Sequence, residues 1–301
     1  MDIRVLKYFL AVASAGNITK AAESLHITQP TLSRQLMELE EELGTQLFTR
    51  GKRNISLTDS GIIFQQRVRE IMLLLDKAER EISDQNQLVG GVVSVGCVES
   101  MASFVLPEVM TELMEKYPLV TYEIYTADGD DIREKLDSGA LDIGILVEPV
   151  ETSKYEFMRL PIHDRWGLVM RNDDPLAGKE SIDLSDLSGM PIILPRRTIV
   201  KDEIANWLGT GSDQLNVVAT INLQTNAMLL AERKLGYIVC IGGAYLIRPS
   251  DKLKFIPFEP EKISGHVVAW KKNRIFNSAT RLFVEQIRQI AKAGLDTDNV
   301  K

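Results

Sequence analysis

The stretch from Asn17 to Phe48, NITKAAESLHITQPTLSRQLMELEEELGTQLF, constrains the fold more than any other part of the chain. It reads as two short helices and a turn. Asn17 or Thr19 can cap a helix running through Leu25, and Ala21 and Ala22 give that helix a small face for close packing. His26 and Ile27 make the turn. Thr28 caps the next helix, and Pro30 falls in its first turn, where a missing N–H costs nothing. Leu32, Leu36, Leu39 and Leu43 then follow the spacing of one apolar helical face.

At about 100° per residue, Pro30, Ser33, Arg34 and Met37 point away from those leucines, with Gln29 and Thr31 at the helix entrance. Small and polar groups around one arginine suit the phosphates and base edges of a DNA major groove. The acidic run Glu38, Glu40, Glu41 and Glu42 lies toward the other end of the helix. A recognition helix usually inserts its N-terminal end, so these carboxylates are expected to stay clear of the phosphates. Taken alone, the helix pair fits an ordinary helical hairpin with solvated charges equally well.

The flanking segments favour the DNA reading. In LFTRGKRNISLT, Gly51 supports a tight turn between two short alternating runs, which predicts a small wing. Arg50, Lys52 and Arg53 would sit at its tip, within reach of the DNA backbone or minor groove. A long helix follows from Asp59 to Leu88, about 45 Å at the usual rise. Phe64, Val68, Ile71, Leu75, Ala78 and Ile82 form a heptad seam along it, which predicts dimerisation. Gly90 and Gly91 end it as a hinge.

Charge needs to be read by segment. The chain carries −7 overall, but residues 1 to 58 hold seven basic and six acidic groups, so the head is +1 and the remainder −8. A head this weakly basic binds DNA well only when its cations converge and several copies act together. With 301 residues, 45% hydrophobic and 26% charged, the chain has material for two domains and a connector. The opening MDIRVLKYFLAVASAG is interrupted by charges and fits an amphipathic helix better than a targeting peptide. No apolar run is long enough to span a membrane. Cys97 and Cys240 are far apart in sequence, so reduced thiols and a cytoplasmic location are expected.

In combination, AVASAGNITKAAESLHITQPTLSRQLMELEEELGTQLFTR and the LTDSG that opens the long helix resemble a LysR-type transcriptional regulator. The resemblance spans the whole length. It implies an α/β protein with an N-terminal winged helix-turn-helix (residues 1–58), a dimerisation linker helix (59–89) and a two-lobed effector-binding domain (90–301) like the type 2 periplasmic binding proteins. Lobe I is expected over 90–162 and 266–301, and lobe II over 163–265. Matching positions imply DNA contacts from Thr28, Gln29, Pro30, Ser33 and Arg34, and from Arg50 and Arg53 in the wing. The acidic cluster at Glu38 to Glu42 departs from many members of the family.

The body, read on its own, alternates strand-like segments (VVSVGCV, VTYEIYT, LDIGILV, WGLVM, PIILP, VVATINL, YIVCIGG, HVVAW) with helical ones. That alternation predicts parallel sheets built from βαβ units. In such sheets ligands collect beyond the C-terminal strand ends. One strand delivers Glu99, Ser100 and Met101 to a helix start, and another delivers Arg196, Arg197 and Thr198. N–H groups, a hydroxyl and a nearby arginine make an anion site, so Ser100 and Thr198 are expected to face each other across a cleft and hold a small carboxylate. Glu99 would repel such a ligand unless it points away or pairs with an arginine. Family position adds Gln224, Thr225 and the Gly242–Gly243 turn to the lining.

Other chemistry is sparse. His26, His163 and His266 lack metal-ligand spacing, and there is no phosphate-binding loop, nucleophile elbow or zinc motif. Asp142 has no evident acid partner for catalysis and could brace a strand entrance. The expectation is therefore a regulator that is not an enzyme, needs no cofactor or metal, and acts as a dimer or tetramer on double-stranded DNA under a small-molecule effector. An effector-independent regulator is the alternative within that class. Outside it, the alternative is a binding protein or enzyme with an incidental helical N-terminus.

Overall fold

A computed structural model of the chain describes residues 1–50, 55–83, 89–151, 153–207, 209 and 215–293. They form two compact units, Met1–Ile82 and Ser83–Lys301.

The first unit holds α1 (Ile3–Ala15), α2 (Ile18–Ser24), α3 (Gln29–Leu43), β1 (Phe48–Arg50), β2 (Ile55–Leu57) and α4 (Asp59–Ser83). Asn17 caps α2 through its side-chain oxygen, which accepts the Thr19 and Lys20 N–H groups at 2.9 and 3.1 Å. His26 takes the left-handed backbone of the turn, with φ 55°. Thr28 occupies the cap position of α3, but its hydroxyl bonds the Thr31 hydroxyl (2.8 Å) instead of a backbone N–H. Leu32, Leu36 and Leu39 are buried with Phe9, Val12, Ala21 and Ala22 in one core. The Phe9 ring lies 5.2 Å from that of Phe48 and 5.0 Å from that of Phe64, joining α1 to the wing and to α4.

The heptad seam predicted for α4 divides. Val68 is wholly buried, and Phe64 and Met72 pack against the core of the head, because Phe9 gives them an apolar partner within the same unit. Ile71 of that seam is 44% exposed. Four further apolar residues, Ile62, Ile63, Leu73 and Leu74, face solvent on the opposite side of the helix. The last part of the expected helix, residues 84–88, lies outside the described residues.

The second unit contains β3 (Gly90–Cys97), α5 (Val105–Lys116), β4 (Leu119–Thr126), α6 (Gly129–Ser138), β5 (Ile143–Val147), β6 (Tyr155–Arg171), β7 (Ile182–Asp183), β8 (Ile192–Pro195), α7 (Thr198–Trp207), β9 (Val217–Ile221), α8 (Gln224–Glu232), β10 (Tyr237–Ile241), α9 (Gly242–Ile247), β11 (Leu253–Glu259), β12 (Ile263–Lys271) and α10 (Ser278–Ala293). The main strand order is β4-β3-β5-β12-β6-β10-β8-β9, with β11 also paired to β6.

The sheets are mixed, not purely parallel as the strand–helix alternation predicted. Pairs β3/β4, β3/β5, β8/β9 and β8/β10 are parallel. Pairs β5/β12, β6/β12, β6/β10 and β6/β11 are antiparallel. The difference comes from β6 and β12, long strands that pass through both halves of the unit. Their pairing slips in register between Gly265 and His266. On one side, Val93, Val105, Ile143, Val268, Phe283 and Ile287 belong to one apolar core. On the other, Trp166, Leu168, Ile192, Ile204, Val239 and Phe258 belong to a second. We refer to these as lobes I and II.

Asp142 braces a strand entrance, as its position suggested. It is 3% exposed, accepts the Ser94 N–H at 3.0 Å and pairs with Arg274 at 3.1 Å.

Candidate functional site

On α3, burial of the leucines leaves Thr28, Gln29, Pro30, Thr31 and Arg34 exposed and Ser33 half-buried. All six cluster toward the N-terminal end of the helix. Arg34 is paired along the helix with Glu38 (2.9 Å), which also accepts from Gln35 (2.6 Å). The acidic run therefore does not all stay clear of the polar face, because the four-residue spacing brings Glu38 back to Arg34. Two other acids of the run, Glu40 and Glu42, have structural partners. Glu40 accepts the N–H groups of Leu47 (2.7 Å) and Phe48 (3.0 Å), and Glu42 takes the N-terminal ammonium at 2.8 Å.

The wing is the antiparallel pair β1/β2, with Arg50 opposite Ile55. Lys52 and Arg53 lie outside the described residues. The Ile55 N–H donates to the Gly16 carbonyl (3.1 Å), fixing β2 to the end of α1. Thr58 caps α4 by accepting the Gly61 N–H at 3.0 Å. Gly61 packs so tightly that a Cβ there would stand 2.1 Å from the Leu47 carbonyl oxygen. The glycine of the LTDSG motif is thus a close-approach residue.

Between the lobes lies a cavity of about 100 Å³, whose wall includes Val98, Glu99, Asp128, Trp166, Arg197 and Gln224. Of the residues expected at the effector site, Glu99, Arg197 and Gln224 line it. Ser100 is wholly buried, and its hydroxyl is left without a hydrogen-bond partner of good geometry among the described residues. Thr198 is exposed at the start of α7, and neither Ser100, Met101 nor Thr198 belongs to the cavity wall. Thr225 lines a second, outer cavity of about 700 Å³, which shares Val98, Glu99, Asn222 and Leu223 with the inner one.

Glu99 neither points away nor pairs with an arginine. Its carboxylate sits on the N-terminus of α8, accepting the Gln224 N–H (2.7 Å), the Thr225 N–H (3.3 Å) and the Thr225 hydroxyl. The arginines of the cleft are engaged elsewhere. Arg196 bridges to Asp128 and Asp131, and Arg197 to Asp130 (3.1 Å), all at the start of α6. Gly129 lets this happen, since a Cβ there would meet the Arg197 guanidinium at 3.1 Å. The Asp130 carboxyl is opposed by partial burial, yet Arg133 and Arg197 hold it below the ordinary aspartate value.

A third link across the lobes was not anticipated. Asp164 on β6 is 1% exposed and accepts the Met101 N–H (2.8 Å) and the Gly243 N–H (2.6 Å), joining the short helical turn Met101–Phe104 to the start of α9. His266 Nε2 lies 3.1 Å from the same carboxylate, while Nδ1 lies 3.0 Å from the Ile162 carbonyl oxygen. A Cβ on Gly243 would stand 2.1 Å from the Met101 nitrogen, so the expected Gly242–Gly243 turn packs directly against the Ser100–Met101 corner. The signal for Asp164 was in the sequence as an aspartate at an inward position of an alternating strand, with Leu160, Ile162 and Trp166.

Cys97 and Cys240 are both free and buried. Burial pushes the Cys97 thiol up to about 11 and moves Cys240 upward as well. No helix among the described residues is long and apolar enough to cross a membrane. Among the described residues no cluster of histidine, cysteine or acidic side chains is placed to hold a metal ion.

The LysR substrate binding domain family matches residues 86–292, and the bacterial regulatory helix-turn-helix protein, lysR family, matches residues 3–62. The chain is 34% identical over 298 residues to the uncharacterized HTH-type transcriptional regulator YybE of Bacillus subtilis, covering 95% of this chain and 98% of that one. To another such regulator of that organism, YvbU, it is 31% identical over 195 residues, a stretch covering 64% of this chain and 66% of the relative. Full-length CbnR in complex with its target DNA shares the fold, with a TM-score of 0.73 at 23% identity over 96% of this chain and 99% of that one. The two family matches fall one on each compact unit, and the chain belongs to the LysR family of transcriptional regulators, with a DNA-binding helix-turn-helix domain followed by an effector-binding domain.

Proposed function

We propose that this regulator reads its operator with the N-terminal end of α3 and the wing, and that a small molecule between lobes I and II sets its activity. The DNA-contacting set is Thr28, Gln29, Pro30, Thr31, Ser33, Arg34, Arg50, Lys52 and Arg53. Residues 1–58 serve as the reading head, 59–89 as the linker and 90–301 as the effector domain. Dimerisation uses the solvent-facing stripe Ile62, Ile63, Leu73 and Leu74 of α4, and a dimer presents two heads to two-fold related half-sites. An effector that favours one lobe arrangement shifts the population of that arrangement and with it the spacing of the heads.

The observation that carries the DNA reading is the division of α3 into a buried leucine face and an exposed face whose N-terminal part, from Thr28 to Arg34, is free of acidic side chains. The test is binding of the full-length protein to a DNA fragment from upstream of its own gene across a salt series. Specific binding that weakens with salt is expected, with loss in Arg34→Ala combined with Arg53→Ala. Absence of binding even at low salt would overturn the reading.

A further inference from the structure

We infer that the cleft takes a compact, uncharged molecule with an oxygen acceptor and turns away organic acids, because Glu99 already occupies the anion position at the start of α8. The inference rests on the cleft being the effector site and goes on to name the chemical class of its ligand.

The hydrogen bonds that a ligand carboxylate would seek at a helix N-terminus are made here by the chain's own carboxylate. Glu99 accepts both the Gln224 and Thr225 N–H groups and the Thr225 hydroxyl. Such a position favours an anion through the helix dipole and the free N–H groups. A tethered carboxylate competes as an intramolecular ligand, with an effective concentration on the millimolar scale or above. A free acid would have to displace it or sit beside it, and two carboxylates in one desolvated site repel.

The remaining charges of the wall are already matched. Asp128 is paired with Arg196, Glu148 with Arg159 (3.2 Å), and Arg197 with Asp130. No charged group on this wall is left over for an anion or a cation.

What is left over is neutral. Gln224 is 5% exposed and lines the cavity, and its side-chain nitrogen has no hydrogen-bond partner among the described residues. A buried donor without an acceptor costs about 1–3 kcal/mol, and a ligand carbonyl or hydroxyl oxygen would relieve it. Around that amide the wall is mostly apolar, with Val98, Val147, Trp166, Ile221 and Ile241. The space beside the amide, about 100 Å³, is smaller than the ~150 Å³ that accommodates benzene, so it suits a compact ligand or ligand group of about four to six non-hydrogen atoms.

The test uses isobutyramide and isobutyrate, a neutral and an anionic compound of the same shape, added to the full-length protein at neutral pH. Calorimetry, with fluorescence of Trp166 at the cavity wall as a second readout, measures each. The wild type is expected to bind the amide about tenfold or more tightly than the acid. Glu99→Ala frees the Gln224 and Thr225 N–H groups, and its affinity for isobutyrate should rise about tenfold. Glu99→Gln, which removes the charge but keeps an acceptor oxygen, should move the same way by less and guards against misfolding of the alanine variant. Gln224→Leu should lose amide binding.

Equal or tighter binding of the acid by the wild type, absence of amide binding, or no gain for the acid in both Glu99 variants overturns the inference. The cleft reading is tested separately with Ala244→Trp, which fills the cavity. Amide binding that persists unchanged in that variant places the ligand elsewhere and overturns the cleft reading too.

Discussion

Glu40 Oε1, on α3, accepts the backbone N–H of Leu47 at 2.7 Å, and that of Phe48 at 3.0 Å, where the chain enters the β1/β2 hairpin. One carboxylate therefore fixes the angle between the two elements proposed to touch DNA. Glu40→Ala should weaken operator binding about tenfold through loss of this preorganisation, with little change in helix content. Gel-shift titration and amide exchange at Leu47 and Phe48 check it, and unchanged exchange at both would refute the bracing role.

Arg34 and Glu38 form an exposed pair one helical turn apart, 78% and 48% accessible, so the pair adds little stability. Its effect is on charge, since Glu38 partly neutralises an arginine at the proposed DNA face. Glu38→Ala should tighten non-specific binding about threefold at low salt and steepen the salt dependence by about one phosphate contact. If Glu38→Ala binds DNA no better than wild type at any salt concentration, Arg34 is not held back by this pair.

At Gly61 the constraint is steric. An added Cβ would lie 2.1 Å from the Leu47 carbonyl oxygen, a backbone atom that cannot swing aside. Gly61→Ala should destabilise the head by about 2 kcal/mol through overpacking. Thermal unfolding should show the head melting early while the effector domain keeps its transition.

Glu203 gives a prediction that depends on pH. Burial is the main influence and raises its carboxyl above the ordinary value of 4.5, against a smaller opposing pull from Lys262, and Oε2 has no hydrogen-bond partner among the described residues. A raised carboxyl pKa means that the folded state resists ionisation. The penalty is absent well below 4.5 and fully present once pH exceeds the raised value. Glu203→Gln should therefore raise Tm by about 2 °C at pH 8 and leave it unchanged near pH 4. An equal shift at both pH values would show that ionisation is not the cause.

The sequence revealed those features whose causes are local. The Asn17 cap and the leucine face of α3 follow from spacing and capping within a few residues, and both are found. Features set by distant partners were hidden. Nothing near Phe64 says that its ring meets Phe9, so the heptad seam looked free for a second subunit when part of it belongs to the head. Glu99 could be flagged as awkward for an anion, but its partner Thr225 is 126 residues away. The first half of β6 was missed because Glu156, Arg159 and Asp164 give it the polarity of a loop. Its inward residues Leu160, Ile162 and Asp164 nonetheless alternate as a strand requires.

The late return of β12 and α10 to lobe I has a consequence for synthesis. The core of lobe II is drawn from Trp166 to Phe258, one uninterrupted stretch, whereas lobe I needs Val268, Phe283 and Ile287 from the end of the chain. On a ribosome adding about 5–20 residues per second, lobe II has all its core residues before lobe I does. Until β12 emerges, β5 lacks its antiparallel neighbour and presents an open strand edge. The nascent chain is thus open to mispairing at β5 until β12 emerges, and a premature stop near residue 262 would release lobe II with its core residues present and lobe I with that edge bare.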